Sequence, residues 1–146
     1  MNMGGPRTVA DVREYLQRIF LDRDIMQLPM QNLLGSFIAS RRARHVEEEY
    51  KLIGGGSPIE KWTRHQGAGM VKHLDRMCPE TGFRYSDPLT QEAVREIMSD
   101  QVKTVIAFSQ YPQYSCSTTG SNLNELYRQI KLHDPGHTVR WSIIDR

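Results

Sequence analysis

The block Gln110-Tyr111-Pro112-Gln113-Tyr114-Ser115-Cys116-Ser117-Thr118-Thr119-Gly120 gathers two phenols, a thiol and a run of hydroxyls. It follows an apolar run, Val102 to Phe108, that reads as a strand, and open α/β sheets place ligands outside the carboxyl ends of their strands. The same block also reads as a long polar loop in which Ser117 or Thr118 caps the next helix. Gly54-Gly55-Gly56-Ser57 presents backbone N–H groups that can cradle an anion, or it is a flexible loop. It is not a nucleotide-binding phosphate loop, because no Gly-Lys-Ser/Thr follows. Arg41, Arg42 and Arg44 can grip carboxylates or phosphates in a planar fork, or end a helix in solvent. The histidines His45, His65, His73, His133 and His137 form no metal spacing. His133 and His137 are split by Pro135-Gly136, which removes the helix that would put both on one face. Cys78 and Cys116 are far apart with no C-x-x-C, which excludes a disulfide scaffold and a self-contained zinc site.

Those residues need elements to hold them. Thr8 and Asp11 resemble a capping box, and Val9, Val12, Leu16, Ile19 and Phe20 follow at helical spacing, so a helix spans roughly 9–20. Asp22-Arg23-Asp24 breaks it. A second stripe, Met30, Leu33, Leu34, Phe37 and Ile38, predicts a helix that ends in the arginines, where the macrodipole is negative. A short acidic helical stretch follows at Glu47 to Tyr50. The three glycines mark a loop with unusual dihedrals or a close ligand. Pro58 opens a helix carrying Ile59, Trp62, Met70 and Leu74 that stops near Cys78-Pro79. Phe83-Arg84-Tyr85 is a strand stub. A helix from about Thr90 to Ser99, the strand through Phe108 (a pattern buried on both faces), a helix near 119–131 and a strand Val139 to Ile144 complete the chain.

Order and period predict α/β with parallel pairing. There are more helices than strands, where a doubly wound sheet carries roughly one strand per crossover helix. The apolar density from Leu16 to Ile38 is either ordinary core or a lip lying on a membrane, with Leu16, Ile19, Phe20, Leu33, Leu34 and Phe37 as its exposed face.

At 146 residues the chain has one domain's worth of length. Its composition, 38% hydrophobic and 25% charged, excludes collagen, coiled coil and acidic disorder. No apolar run reaches the roughly 18 residues of a membrane span. A net charge of +2 gives no argument for nucleic acid. The mean hydropathy of −0.56 is low for a domain that must bury a core. No Arg-rich leader precedes the opening Met1-Asn2-Met3-Gly4-Gly5-Pro6 turn, and both termini read as cut.

Met1 through Pro6, Gly54 through Ile59, Gly82-Phe83-Arg84-Tyr85 and Ser109 through Gly120 together resemble the ferrochelatase family, specifically its animal mitochondrial, iron–sulfur type. The resemblance runs in order along essentially the whole chain. It implies insertion of Fe²⁺ into protoporphyrin IX to form protohaem, with two similar Rossmann-type domains around the porphyrin. Residues 1–146 then correspond to a partial N-terminal domain, an incomplete Rossmann-like parallel-sheet unit. The family's strand before the Asn-Met-Gly-Gly-Pro turn is missing, as are several residues of a second strand between Thr81 and Gly82.

By motif, the resemblance makes Arg42, Tyr50 and Ser57 porphyrin contacts, and Met3, Arg84 and Tyr111 pocket-lining residues. Cys116 matches one ligand of a [2Fe–2S] cluster whose other three cysteines belong to a C-terminal segment. The family's catalytic histidine lies in the second domain, so no catalytic residue is expected in this chain and no activity from it alone. The resemblance further implies a peripheral membrane homodimer on the matrix face of the mitochondrial inner membrane. The alternative is a non-catalytic porphyrin-binding or dimer-interface remnant of such an enzyme.

Overall fold

A computed structural model describes residues 1–75 and 77–145; Arg76 and Arg146 lie outside the described residues. The Asp11 carboxylate accepts the Thr8 N–H and hydroxyl, both at 2.9 Å, and so secures a short 3₁₀ turn, Val9–Asp11. Helix α1, Val12–Leu21, continues from it. Helix α2, Gln31–Leu52, then runs for 22 residues without a break. The second apolar stripe and the acidic stretch are therefore one helix, and the arginine cluster lies within it rather than at its end. Continuity has a packing cause. Ala39 and Ala43 carry the buried seam on past Phe37, beneath Val12, Leu16 and Phe20 of α1.

Helix α3, Ile59–Val71, starts after Pro58 and ends earlier than the sequence pattern suggests. Helix α4 spans Thr90–Ser99. Strand β1, Thr104–Phe108, and strand β2, Arg140–Ile144, pair in parallel, with Ile106 opposite Ser142. Helix α5, Ser121–His133, is the crossover between them. The expected α/β class with parallel pairing is what the structure has, as a small two-stranded sheet. Val94 of α4, Ala107 of β1 and Leu126 of α5 form its core, with Met1, Met98, Ile130 and Trp141 packed around them.

Strand β1 is not buried on both faces, as its apolar run suggested: Ile106 is 45% exposed. Among the described residues its only strand partner is β2. Beyond it lies a groove of about 710 Å³ lined by Met70, Leu74, Val94, Val105, Ala107 and Trp141. The strand stub is also present, reduced to single bridges from Phe83 to Asn2 and to Leu89.

The N-terminal turn ties these parts together through its backbone. The Met1 amine donates to the Phe108 carbonyl at 2.6 Å, and Gln110 N–H donates to the Met1 carbonyl at 3.0 Å. Arg84 and Tyr85 N–H groups donate to the Asn2 and Met3 carbonyls, each at 3.1 Å. Ser57 N–H donates to the Pro6 carbonyl at 2.7 Å. The glycine loop behaves as its composition suggests: Gly54 and Gly55 hold φ of +102° and +91°, which side chains disfavour. Gly56 is needed for proximity, because a Cβ there would sit 2.0 Å from the Arg7 carbonyl oxygen.

Candidate functional site

The carboxyl end of β1 opens into a hollow of about 590 Å³ lined by Gln66, Met70, Phe108, Gln110, Tyr111 and Pro112. This is where a parallel strand is expected to present a ligand. The Asn2 amide donates to Gln110 Oε1 at 3.1 Å and to Thr63 Oγ1 at 3.3 Å, so the N-terminal turn borders the hollow beside the loop that follows β1.

Of the residues singled out in the sequence, Tyr111 lines this hollow and others lie at the N-terminal turn that borders it. Met3 is in the turn itself, and Ser57 is held against it through Pro6. Tyr111 heads the loop after β1, half-buried. Tyr50 lies near the end of α2 and packs against the α1–α2 core. Between them stands Tyr15 of α1, whose hydroxyl reaches the Gly4 carbonyl at 3.4 Å. Tyr15 was not among the residues the sequence picked out. It sits on the rim of an amphipathic helix, and nothing in the local pattern separates it from ordinary packing.

Burial raises the pKa of all three phenols. For Tyr15, nearby Tyr50 and Tyr111 raise it further, because three phenolates together would repel. For Tyr50 the Glu49 carboxylate adds to burial. Burial pushes Tyr111 up to about 12, against the opposing pull of the Asn122 hydrogen bond and the Arg84 charge. All three are therefore neutral phenols at pH 7, able to donate and accept hydrogen bonds from largely apolar walls.

Arg84 is close to this group, but its charge is already engaged. Its guanidinium meets Asp22 Oδ2 at 2.8 Å, Ser121 Oγ at 3.0 Å and Glu125 Oε2 at 3.7 Å. The Tyr85 hydroxyl donates to the same Asp22 oxygen at 2.5 Å, and Ser121 Oγ donates to it at 2.7 Å. Burial alone would raise the Asp22 pKa. The two hydroxyls, the Asp24 N–H and the Arg84 charge outweigh it, and the carboxyl is held below the ordinary value. Asp22 looked like a helix breaker in the sequence; it is the buried centre of an ionic network.

Arg42 stands apart. It is exposed on α2, with its guanidinium 5.9 Å from the Phe20 ring centroid, and it has no hydrogen bond to the other candidates. Exposure leaves its planar donor fork free for an anionic ligand.

Cys116 is an exposed free thiol that opens a π-helical turn, Cys116–Gly120. The cap of that turn is Ser115, not Ser117 or Thr118: Ser115 Oγ accepts the Thr118 N–H at 3.2 Å. Among the described residues there is no group of three or more His, Cys, Asp or Glu side chains able to hold a metal. Cys78 is exposed and lies on another segment. A four-thiolate cluster does not fit the residues of this chain alone, which offer two exposed thiols on separate segments.

The apolar face divides. Leu16 and Phe20 are buried against α2, at 8% and 7% exposure, so they are core and not lip. Ile19 and Leu34 are half-buried. Met30, just before α2, and Leu33 and Phe37 in its first half stay well exposed. No helix among the described residues is long and apolar enough to cross a membrane.

A family model for ferrochelatase matches residues 1–146. The chain is 55% identical to the mitochondrial ferrochelatase of Gallus gallus, an alignment that covers 100% of this chain and 38% of that protein. It is 54% identical to the Homo sapiens mitochondrial ferrochelatase, covering 36% of it, and 49% identical to that of Drosophila melanogaster, covering 40%. The chain thus spans well under half the length of the curated relatives it matches. These alignments run over 153 residues against 146 here, so the relatives carry residues within this stretch that the chain lacks.

Proposed function

The chain belongs to the ferrochelatase family, and from that premise we propose that it is the porphyrin-binding portion of a mitochondrial enzyme that inserts Fe²⁺ into protoporphyrin IX. The observation that carries the proposal is that Tyr111 lines the hollow at the mouth of β1, Met3 and Ser57 belong to or bond the N-terminal turn that borders it, and Tyr15, whose hydroxyl reaches that turn, neighbours both Tyr50 and Tyr111. The ligand is flat and apolar, with two carboxylates at one edge. Apolar walls bury such a face, and a few polar groups fix its orientation. Neutral Tyr50 and Tyr111 suit the first task and the second. Exposed Arg42 suits a propionate, which its guanidinium can meet in a planar fork.

Insertion of the metal releases two pyrrole protons and needs a base. It also favours a macrocycle bent so that the nitrogen lone pairs meet the iron. In this reading the base is the catalytic histidine of a second domain, and residues 1–146 bind and orient the ring. Arg84 contributes to the wall through its packing, since its charge is spent on Asp22. Cys116 supplies one thiolate of a [2Fe–2S] cluster, and three more come from outside these residues. Met30, Leu33 and Phe37 form a lip that rests on the matrix side of the inner membrane, and the complete protein is a homodimer.

Protoporphyrin fluorescence on titration with the 146-residue chain tests the binding role. Saturable binding without iron insertion is the expected result. No saturable binding would overturn the placement of the site, and iron insertion by the chain alone would overturn the division of labour.

A further inference from the structure

Asn122, at the start of α5, is 1% exposed, and it is neither a motif residue nor part of the ionic network. Its Nδ2 donates to the Tyr111 hydroxyl oxygen at 3.1 Å and to the Thr118 carbonyl at 3.2 Å. The Thr118 carbonyl can only accept, so it fixes which end of the amide faces Tyr111. Asn122 Oδ1 has no partner and is buried. Reversing the amide would set Oδ1 against the Thr118 oxygen, so the orphaned acceptor is the cost of presenting the N–H.

That orientation has a consequence for Tyr111. Its oxygen is occupied as an acceptor, and among the described residues its hydroxyl meets no acceptor of its own. We propose that Asn122 is a positioning residue for Tyr111: it holds the phenol as a hydrogen-bond donor aimed at an acceptor atom on the bound macrocycle. The proposal rests on the porphyrin reading for the identity of the ligand, but the geometry of the pair stands without it. Burial alone raises the Tyr111 pKa, and the Asn122 bond opposes that rise by favouring the charged oxygen.

The test is a double-mutant cycle with two readouts. In the chain labelled with ¹³Cζ-tyrosine, the Tyr111 resonance is assigned by its loss in Tyr111→Phe. Asn122→Leu is expected to raise the Tyr111 titration midpoint. Protoporphyrin titration is expected to show a roughly three- to tenfold weaker dissociation constant for Asn122→Leu, the range of one hydrogen bond. Asn122→Asp is expected to weaken binding similarly, because a carboxylate would accept the Tyr111 O–H hydrogen bond and turn the donor away from the ligand. In the Tyr111→Phe background, Asn122→Leu should change affinity less than twofold, since a residue that acts through the phenol has nothing left to position. An equal loss in both backgrounds, or an unmoved Tyr111 midpoint, would overturn the proposal. If the unmodified chain binds no porphyrin, the function proposed above fails, and the resonance shift alone still decides the role of Asn122. If Asn122→Leu fails to fold, Asn122→Ser, with a shorter donor that cannot span to Tyr111, is read in the same way.

Discussion

Replacing Asp22 by Asn removes one charge and almost no volume, at a point where three groups converge on a single oxygen. Tyr85, Ser121 and Arg84 reach Asp22 Oδ2 at 2.5, 2.7 and 2.8 Å. An amide oxygen can still accept from the two hydroxyls, so the perturbation isolates the ion pair. Arg84 would be left 15% exposed, with Glu125 at 3.7 Å as its remaining carboxylate. Removing one member of a buried pair costs about 3–5 kcal/mol. The surviving Glu125 contact puts Asp22→Asn at the lower end, about 3 kcal/mol. At roughly 2–4 °C per kcal/mol for a chain of this size, Tm should fall by about 6–12 °C. Urea unfolding at neutral pH gives the free energy directly. The pH dependence gives a second check. The folded pKa of Asp22 is lowered, so its stabilisation is fully present above the unfolded aspartate value and is lost as pH falls through the folded value. The gap between the native chain and Asp22→Asn should therefore narrow in acid. A loss within about 0.5 kcal/mol of zero, the range of ordinary surface changes, would refute the buried-pair reasoning. So would full additivity with Arg84→Met, because contacting partners couple.

Arg42→Leu should weaken protoporphyrin binding by roughly tenfold or more, the worth of a charge-assisted bond, while Arg44→Leu changes it little; equal effects in a porphyrin titration would reject Arg42 as the propionate partner. Leu33→Ser with Phe37→Ser should reduce flotation with anionic liposomes and leave the unfolding midpoint nearly unchanged, whereas Leu16→Ser should lower the midpoint by several degrees; unchanged flotation would remove the lip. Joined to a segment that supplies three further cysteines, the chain should become brown on anaerobic reconstitution with iron and sulfide, and Cys116→Ser should leave it colourless. A visible-absorbing cluster on the 146-residue chain by itself would contradict the reading that three of the four thiolates come from outside these residues, which hold two cysteines on separate segments.

Helix α1 and the existence of β1 and β2 were readable because their apolar periods are local. The length of α2 was not, because a helix end was inferred from three arginines, while Ala39 and Ala43 are small enough to look unremarkable in a pattern yet fill the seam under α1. Periodicity also marked one apolar face from Leu16 to Phe37 without saying which part of it another helix covers. The answer depends on where α2 crosses α1, and that crossing buries Leu16 and Phe20 and leaves Leu33 and Phe37 exposed. The candidate ligand contacts came from motif resemblance, which carries residue identities but not their partners. Asp22, Asn122 and Tyr15 carry no motif. Asp22 acquires its role from Tyr85 and Ser121, 63 and 99 residues away, and such a meeting has no signature within any window of sequence.

The ionisation states of Tyr111 and its neighbours bear on what these residues could contribute under the function proposed above, in which metal insertion must remove two protons. Tyr15, Tyr50 and Tyr111 all have raised pKa values, so none is a phenolate able to accept a proton near pH 7. Asp22 is ionised, but its hydrogen bonds and the Arg84 charge lower its affinity for a proton. A general base works best with a pKa near the operating pH, and these groups have been moved away from it in both directions. What the arrangement suits, under that reading, is orientation: neutral donors, an arginine already compensated by Asp22, and one exposed arginine whose charge would be left for the ligand's carboxylates. Under the function proposed above, the proton acceptor for metal insertion would face the ring from outside this cluster, and the phenols would serve by holding the macrocycle still while it is deprotonated.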